Sequence, residues 1–260
     1  MRAFRSLLAA SAFALALLPA GAAFADKLQD ILSAGTMRIG VLADSAPWGF
    51  KDGSGELTGF DVELAKLMAA DMGVTLEIVE VTGPSRIPSL LSDKIDILIA
   101  AAGATPERAQ QVMFSQPYVA VQLGVYGKGD APSFEKADDL AGHSIAVAKG
   151  STLDVWLTDN AKGANITRFE DAPSAIAAFR AGQVEMFAEN SAIALNVSGA
   201  DTSVSLKFAI RQSPAHAAVA QGEQNLLNWI NTDLFYNRMN GKLQKLQMKW
   251  FKEAAPLPTL

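Results

Sequence analysis

Apolar and polar residues alternate along this chain in two registers. Short apolar runs of strand length recur, and between them apolar residues return every three or four positions, the period of a helix packed on one face. The first series predicts a strand at 37–42, a helix opening at Asp61 and stopped by Gly73, and a strand rich in β-branched residues at 74–81. A short helix at 85–91 and a strand at 95–101 complete it. Gly73 suits the left-handed position that ends a helix. Residues 45–59 read as a loop, with Asp52-Gly53-Ser54-Gly55 as its turn. The second series has extended chain at 122–126, a strand at 143–148, and a helix opened by Gly150-Ser151-Thr152. It continues with a strand at 165–169, a helix at 172–181 before Gly182, and strands at 184–188 and 203–211. Two amphipathic helices, 223–240 and 242–251, close the chain.

Strands that alternate with helices predict an α/β fold, in which parallel sheets are covered by helices. Two separate series predict two lobes. Ligands of such sheets bind beyond the carboxyl ends of the strands. The loops near 44–50, 83–86, 101–108, 149–152 and 188–191 all follow strands, so they are expected to share one cleft.

Composition narrows the class. Residues 1–25 read as a cleaved export signal: Arg2 and Arg5, then an apolar stretch at 7–18 too short to span a bilayer. Pro19 and Gly21 break that stretch, and Ala23-Phe24-Ala25 fits the small-x-small cleavage pattern. The chain has no cysteine, so disulfides, thiolate metal sites and a lipid-modified cysteine are excluded. A freely diffusing periplasmic protein is the expectation. The net charge is −5, and the export segment holds basic residues but no acid, so the remainder is more acidic still. That argues against nucleic-acid binding, which needs a basic face. His143 and His216 lie far apart, which makes a metal site improbable. There is no Gly-x-Ser-x-Gly elbow and no phosphate-binding Gly-x-x-x-x-Gly-Lys loop. Gly53-x-Gly55 sits in a polar loop and is no dinucleotide fingerprint. No cofactor is expected.

The candidate chemistry sits in the five loops. After the apolar run ending at Ala102, Thr105 is placed to cap a helix, Pro106 suits its first turn, and Arg108 projects back over the loop. Exposed backbone N–H groups and a guanidinium make a carboxylate clamp. Trp48 and Phe50 either wall a ligand or fill the core, and Asp44 either orients a donor or forms a turn. Arg86 is placed to meet a second acidic group, or simply to be solvated at a helix start. Ser151 and Thr152 open a helix whose N–H groups and hydroxyls suit a carboxylate. Glu189 and Asn190 end a strand; the first can neutralise an ammonium, the second only hydrogen-bond.

Six stretches, in register, resemble the periplasmic solute-binding proteins of the polar amino acid uptake family (family 3), which serve ATP-driven (ABC) importers. They are Gly-Phe-Asp-Val-Glu-Leu-Ala at 59–65, Arg-Ile-Pro-Ser-Leu-Leu at 86–91, Thr-Pro-Glu-Arg at 105–108, Phe-Ser-Gln-Pro-Tyr at 114–118, Lys-Gly-Ser-Thr at 149–152 and Gly-Lys-Leu-Gln-Lys-Leu-Gln-Met-Lys-Trp at 241–250. The resemblance implies two lobes, each a mostly parallel sheet flanked by helices, joined by a two-strand hinge. It places one lobe at 26–120 plus 217–260 and the other at 121–216, with crossings near 119–123 and 213–219. The last helices would pack back on the first lobe. It implies that Arg108 pairs with a ligand α-carboxylate, helped by Thr152 and by the backbone of Ala101 and Gly103. Gly103 stands where the family often has Ser or Thr. The aspartate that holds the α-ammonium in the family aligns with Asn190, or, shifted by one, with Glu189. Arg86 resembles a position that contacts the side-chain carboxylate in binders of acidic amino acids. The implied function is that of a monomeric binding protein, not an enzyme, delivering an amino acid or related carboxylate to a membrane permease. The alternatives are an amine-free organic acid or dicarboxylate as ligand, or a cyclohexadienyl-dehydratase-like enzyme on the same fold, with Glu189 as its acid.

Overall fold

A computed structural model describes residues 26–197 and 203–251; the expected export segment, 1–25, lies outside them. Asp26 caps α1 (Lys27–Ala34) and Gly35, at φ 67°, ends it. Next come β1 (Thr36–Leu42), the short strands β2 (Asp44–Ser45), β3 (Gly49–Lys51) and β4 (Leu57–Thr58), and α2 (Phe60–Met72). β5 (Thr75–Val81), α3 (Arg86–Leu91), β6 (Ile97–Gly103) and the single turn α4 (Pro106–Ala109) lead into β7 (Val112–Lys128). The second series is β8 (Ser144–Ala148), α5 (Thr152–Asn160), β9 (Asn165–Phe169), α6 (Ala172–Arg180), β10 (Met186–Asn190) and α7 (Ser191–Val197). β11 (Val204–Ala220), α8 (Gln224–Met239) and α9 (Lys242–Phe251) follow.

The fold is α/β and two-lobed, as expected, but the two parallel triplets are hydrogen-bonded into one sheet of order β5-β1-β6-β11-β7-β10-β8-β9. β1 runs parallel to β5 and β6, and β8 runs parallel to β9 and β10. Between them β7 and β11, 17 residues each, pair antiparallel from Val112↔Ala220 to Lys128↔Val204. These two strands belong to both halves and form the connection between them. Residues 119–123 pair with 211–215, so the return crossing lies upstream of the expected 213–219.

Alternation along the strands divides the core into layers. In the first half Ile97 and Ile99 pack on the side of Phe60, Leu64 and Leu226, while Leu98 and Ala100 pack with Leu90 on the other. In the second half Ile145 and Val147 face Leu153 and Leu157, and Ala146 faces Phe179. α8 and α9 contribute Leu226, Ile230, Leu234 and Leu243 to the first half's core. Residues 45–59 are not a plain loop: β2, β3 and β4 make a small antiparallel sheet. Asp52 closes its tip by accepting from the N–H groups of Ser54 and Glu56.

Candidate ligand-binding site

Beyond the carboxyl ends of β1, β6, β8 and β10 lies a cavity of about 130 Å³. Trp48, Arg86, Ala101, Gly103 and Arg108 line it from the first half, and Ser151, Thr152, Glu189 and Asn190 from the second. Asp44 does not. Its neighbour Ser45 takes that place, because β2 alternates its side chains and turns Asp44 outward. The exposed Asp44 carboxylate accepts from the Ser45 hydroxyl at 3.0 Å. Phe50 packs edge-on against Trp250 instead of walling the cavity.

One corner is cationic. Thr105 caps α4, its hydroxyl accepting from the Arg108 N–H at 3.2 Å, with Pro106 in the first turn. The Arg108 guanidinium donates to the Gly103 carbonyl at 3.0 Å, its one hydrogen-bond acceptor among the described residues. Burial lowers its pKa from the usual arginine value without removing its charge. Facing it is the start of α5, where the Ser151 hydroxyl is taken up as a cap by the Asp154 N–H, leaving Thr152 in the first turn. The two walls are close: a Cβ placed on Gly103 would lie 3.7 Å from the Thr152 methyl carbon and 3.5 Å from the Ser213 hydroxyl.

The turn at 100–103 is held from behind. Ala101 adopts φ 48°, a left-handed conformation that costs energy for a residue with a Cβ. Its N–H donates to Asp61 at 2.8 Å, and the other Asp61 oxygen accepts from the Tyr118 hydroxyl at 3.0 Å. Arg86 donates to the carbonyls of Ala100 (2.8 Å), Ala101 (3.4 Å) and Gly83 (3.1 Å). Burial and the neighbouring Arg108 charge pull the Arg86 pKa down to about 10. Arg86 lines the cavity, but most of its donors serve the backbone. Asp61 is wholly buried, and burial pushes its carboxyl up to about 7 against the pull of Tyr118 and Ala101. Its signal in the sequence is an acid at the head of the apolar stripe Leu64, Ala65 and Met68 on α2.

At the opposite corner stand the two neighbours at the end of β10, both about nine-tenths buried. Asn190 caps α7: its side-chain oxygen accepts from the Ile193 N–H at 3.0 Å and from the Trp48 indole N–H at 3.4 Å. Its amide nitrogen and its backbone N–H both donate to one oxygen of Glu189, each at 2.9 Å. Burial pushes the Glu189 carboxyl up to about 7, only partly offset by the Asn190 N–H and by Arg86. Trp48, 1 % exposed, packs against Phe60 and Phe251 and reaches the second half through that indole bond. A guanidinium and a helix start at one end and a buried carboxyl at the other suit a small molecule that carries both charges.

Among the described residues no group of three His, Asp or Glu side chains could hold a metal ion, and no helix is long and apolar enough to cross a membrane. His143 instead meets Glu185, and His216 meets the Ser115 carbonyl.

Comparison with known proteins places these features in a family. The L-cystine-binding protein TcyJ of Escherichia coli K12 is 28 % identical over 233 residues, covering 88 % of both chains. The ABC transporter glutamine-binding protein GlnH of Bacillus subtilis is 30 % identical over 271 residues, covering 97 % of this chain and 98 % of its own. A crystal structure of a mutant ArgBP from T. maritima superposes with a TM-score of 0.80 at 31 % identity, over 87 % of this chain and all of that one. The sequence profile of the bacterial extracellular solute-binding proteins, family 3, matches residues 37–253. With that match across most of its length, this chain belongs to the family 3 bacterial extracellular solute-binding proteins.

Proposed function

We propose that this protein is the periplasmic, monomeric component of an ABC importer and captures a small α-amino acid between its lobes. The first lobe is 26–120 plus the chain after the return crossing at 211–215, the second lobe the residues between, with residues 1–25 removed on export. Arg108 takes the α-carboxylate, helped by Thr152 and the backbone of Ala101 and Gly103. Glu189 takes the α-ammonium, since Asn190 is occupied by the α7 cap and by Trp48. Trp48 covers the apolar part of the ligand. The ligands that the relatives' names carry, cystine and glutamine, share the α-amino acid head, and it is this head that the reading transfers. Closure drives transport only because ligand favours the closed form, whose joint surface a permease can recognise.

The supporting observation is the half-buried Arg108 guanidinium, with a single backbone acceptor, opposite a buried carboxyl in one small cavity. The test is a thermal-shift panel on purified protein, unfolded and refolded to strip carried-over ligand. The panel holds amino acids, dicarboxylates and amine-free acids. A ligand at about a thousand times its Kd adds roughly 4 kcal/mol. At about 2–4 °C per kcal/mol that is a rise of roughly 8–16 °C. Arg108→Ala should lose the shift and keep a cooperative melt. A hit confined to amine-free acids, or retained binding in Arg108→Ala, refutes the reading. A prephenate-like acid incubated with the protein should stay unchanged; turnover would favour the enzyme.

A further inference from the structure

Resting on the amino-acid reading above, we propose that Asp154 and Arg168 are positioning residues for the carboxylate corner. Asp154 fixes the turn at 150–152 that meets the ligand carboxylate, and Arg168 cancels the charge that Asp154 sets beside it. Neither residue lines the cavity, so both act through the turn.

The turn needs holding. Gly150 has φ 68°, and without a Cβ it leaves that conformation easily. The space beside it is open, so packing does not fix it either. On the strand side the Ser151 N–H donates to the Ala148 carbonyl at 3.2 Å. On the helix side two hydrogen bonds run in opposite directions. The Gly150 N–H donates to Oδ2 of Asp154 at 2.9 Å, and the Asp154 N–H donates to the Ser151 hydroxyl at 3.1 Å. This is a capping box stretched back by one residue. Ser151 and Thr152 stand between the two tied points, and both line the cavity. The cap occupies the Ser151 hydroxyl, so the tie presents to a ligand the Thr152 hydroxyl and the first N–H groups of α5.

A carboxylate in that place carries a cost. The start of a helix favours an anion, but Asp154, 7 % exposed, lies in the same turn as the ligand carboxylate, and like charges so close repel. Arg168 removes the conflict. It stands on β9, opposite Val147 of β8. Its Nε donates to Oδ1 of Asp154 at 2.8 Å, and a terminal nitrogen donates to the Thr158 hydroxyl at 2.8 Å. Thr158 in turn donates to the Asp154 carbonyl at 2.8 Å, so the guanidinium is held at two points of α5. Lys149, the other cation of this loop, is turned to Glu170 at 3.7 Å and leaves Asp154 to Arg168. A plain helix cap needs only the Ser151 hydroxyl. A carboxylate that reaches back past it to Gly150, with its own counter-ion, serves the turn.

The test is isothermal titration of refolded protein with the twenty common L-amino acids and L-cystine. The tightest binder is carried through the variants, each first shown to melt cooperatively. Arg168→Gln keeps a donor for Asp154 and removes the charge; it should bind about fivefold more weakly, and the loss should shrink at high salt. Adding Asp154→Asn, which keeps an acceptor for Gly150, should restore affinity to within about twofold, whereas two merely structural losses would add. Asp154→Ala with Arg168→Gln is equally neutral but lacks that acceptor, and should stay about fivefold weaker. Unchanged affinity in Arg168→Gln, or no recovery in the Asn double variant, overturns the charge role. An Ala double variant that binds as well as the Asn one overturns the positioning role. Hydrogen exchange reads the same tie without a variant: the Gly150 amide should exchange slowly in the empty protein, and fast exchange also overturns it. Each of these results leaves the amino-acid reading intact where Arg108→Ala abolishes binding. If no amino acid binds the unaltered, cooperatively melting protein, that reading falls, and this inference with it.

Discussion

With Glu189 as the ammonium partner proposed above, amino-acid binding should weaken as pH falls. The Glu189 pKa in the empty site is about 7, and burial is the main cause. The charged group that acts on it is Arg86, which favours ionisation; Tyr126 nearby is held neutral, its pKa raised by burial and by Glu189 itself. A ligand ammonium needs the ionised form, so below pH 7 binding must first remove a proton. With that pKa, the apparent Kd should be about tenfold larger at pH 6 than at pH 8, and about a hundredfold larger at pH 5; each tenfold step is about 1.4 kcal/mol. The stability of the empty protein runs the opposite way. A carboxyl whose folded pKa lies above its unfolded value binds more protons when folded, so this contribution is present below about pH 4.5 and is lost as pH rises towards 7. Asp61 and Asp233, also raised to about 7, add to the stability trend without touching the ligand. Affinity that strengthens with pH while the empty protein weakens separates site titration from acid unfolding. Calorimetry in buffers of different ionisation enthalpy should show a proton released per ligand at pH 6, and none in Glu189→Gln, whose weaker affinity should be flat with pH. Equal affinity at pH 6 and pH 8 in the unaltered protein, or an undiminished slope in Glu189→Gln, refutes Glu189 as the ammonium partner.

Three further outcomes are expected. Gly103→Ser should fold well, because the new Cβ finds only ordinary contacts with Ser213 and Thr152, and the loss of glycine's unfolded-state freedom should raise stability by about 0.4–1 kcal/mol in a chemical melt; a drop of several kcal/mol would show that the two walls cannot give. Asn190→Ala removes the α7 cap and the bond to Trp48, which should cost about 1–2 kcal/mol by denaturant titration and weaken ligand binding by releasing one arm of Glu189; unchanged stability would mean that the cap is supplied by water. Gly59→Ala should destabilise by more than Asn190→Ala, since Gly59 has φ 132° and a Cβ there would overlap the Trp48 carbonyl oxygen; a wild-type melting temperature in that variant would contradict the tight approach of α2 to Trp48.

The chain's local chemistry was enough for its class and for much of its site. Apolar runs and helical stripes use contacts within a few residues, so the order of strands and helices was legible before any tertiary contact was known. Caps are equally local: Thr105 with Pro106, Ser151, and Gly73 all do in the structure what their residue types suggest. Arg108, Thr152 and Trp48 reach the cavity because they sit just after strands, where a parallel sheet presents its loops. Three things required the tertiary structure. The 17-residue strands β7 and β11 contain Pro117, Gly124, Gly127 and Pro214, which interrupt any period, and their partners lie across the chain. The turn at Ala101 depends on Asp61, 40 positions earlier, so its strain and support are invisible locally. The choice of Ser45 over Asp44 hinges on which way a strand's alternation points, and the capping role of Asn190 beside Glu189 on distant contacts with α7 and Trp48. A one-residue shift in register reverses that direction, and no short-range pattern carries it. Pairing fixes it: Asn190 lies opposite Leu123 and caps α7 across from Trp48, 142 residues away in sequence. Capping and periodicity are short-range and can be read from the chain; a cleft between lobes is long-range, set by packing and register once distant strands have met.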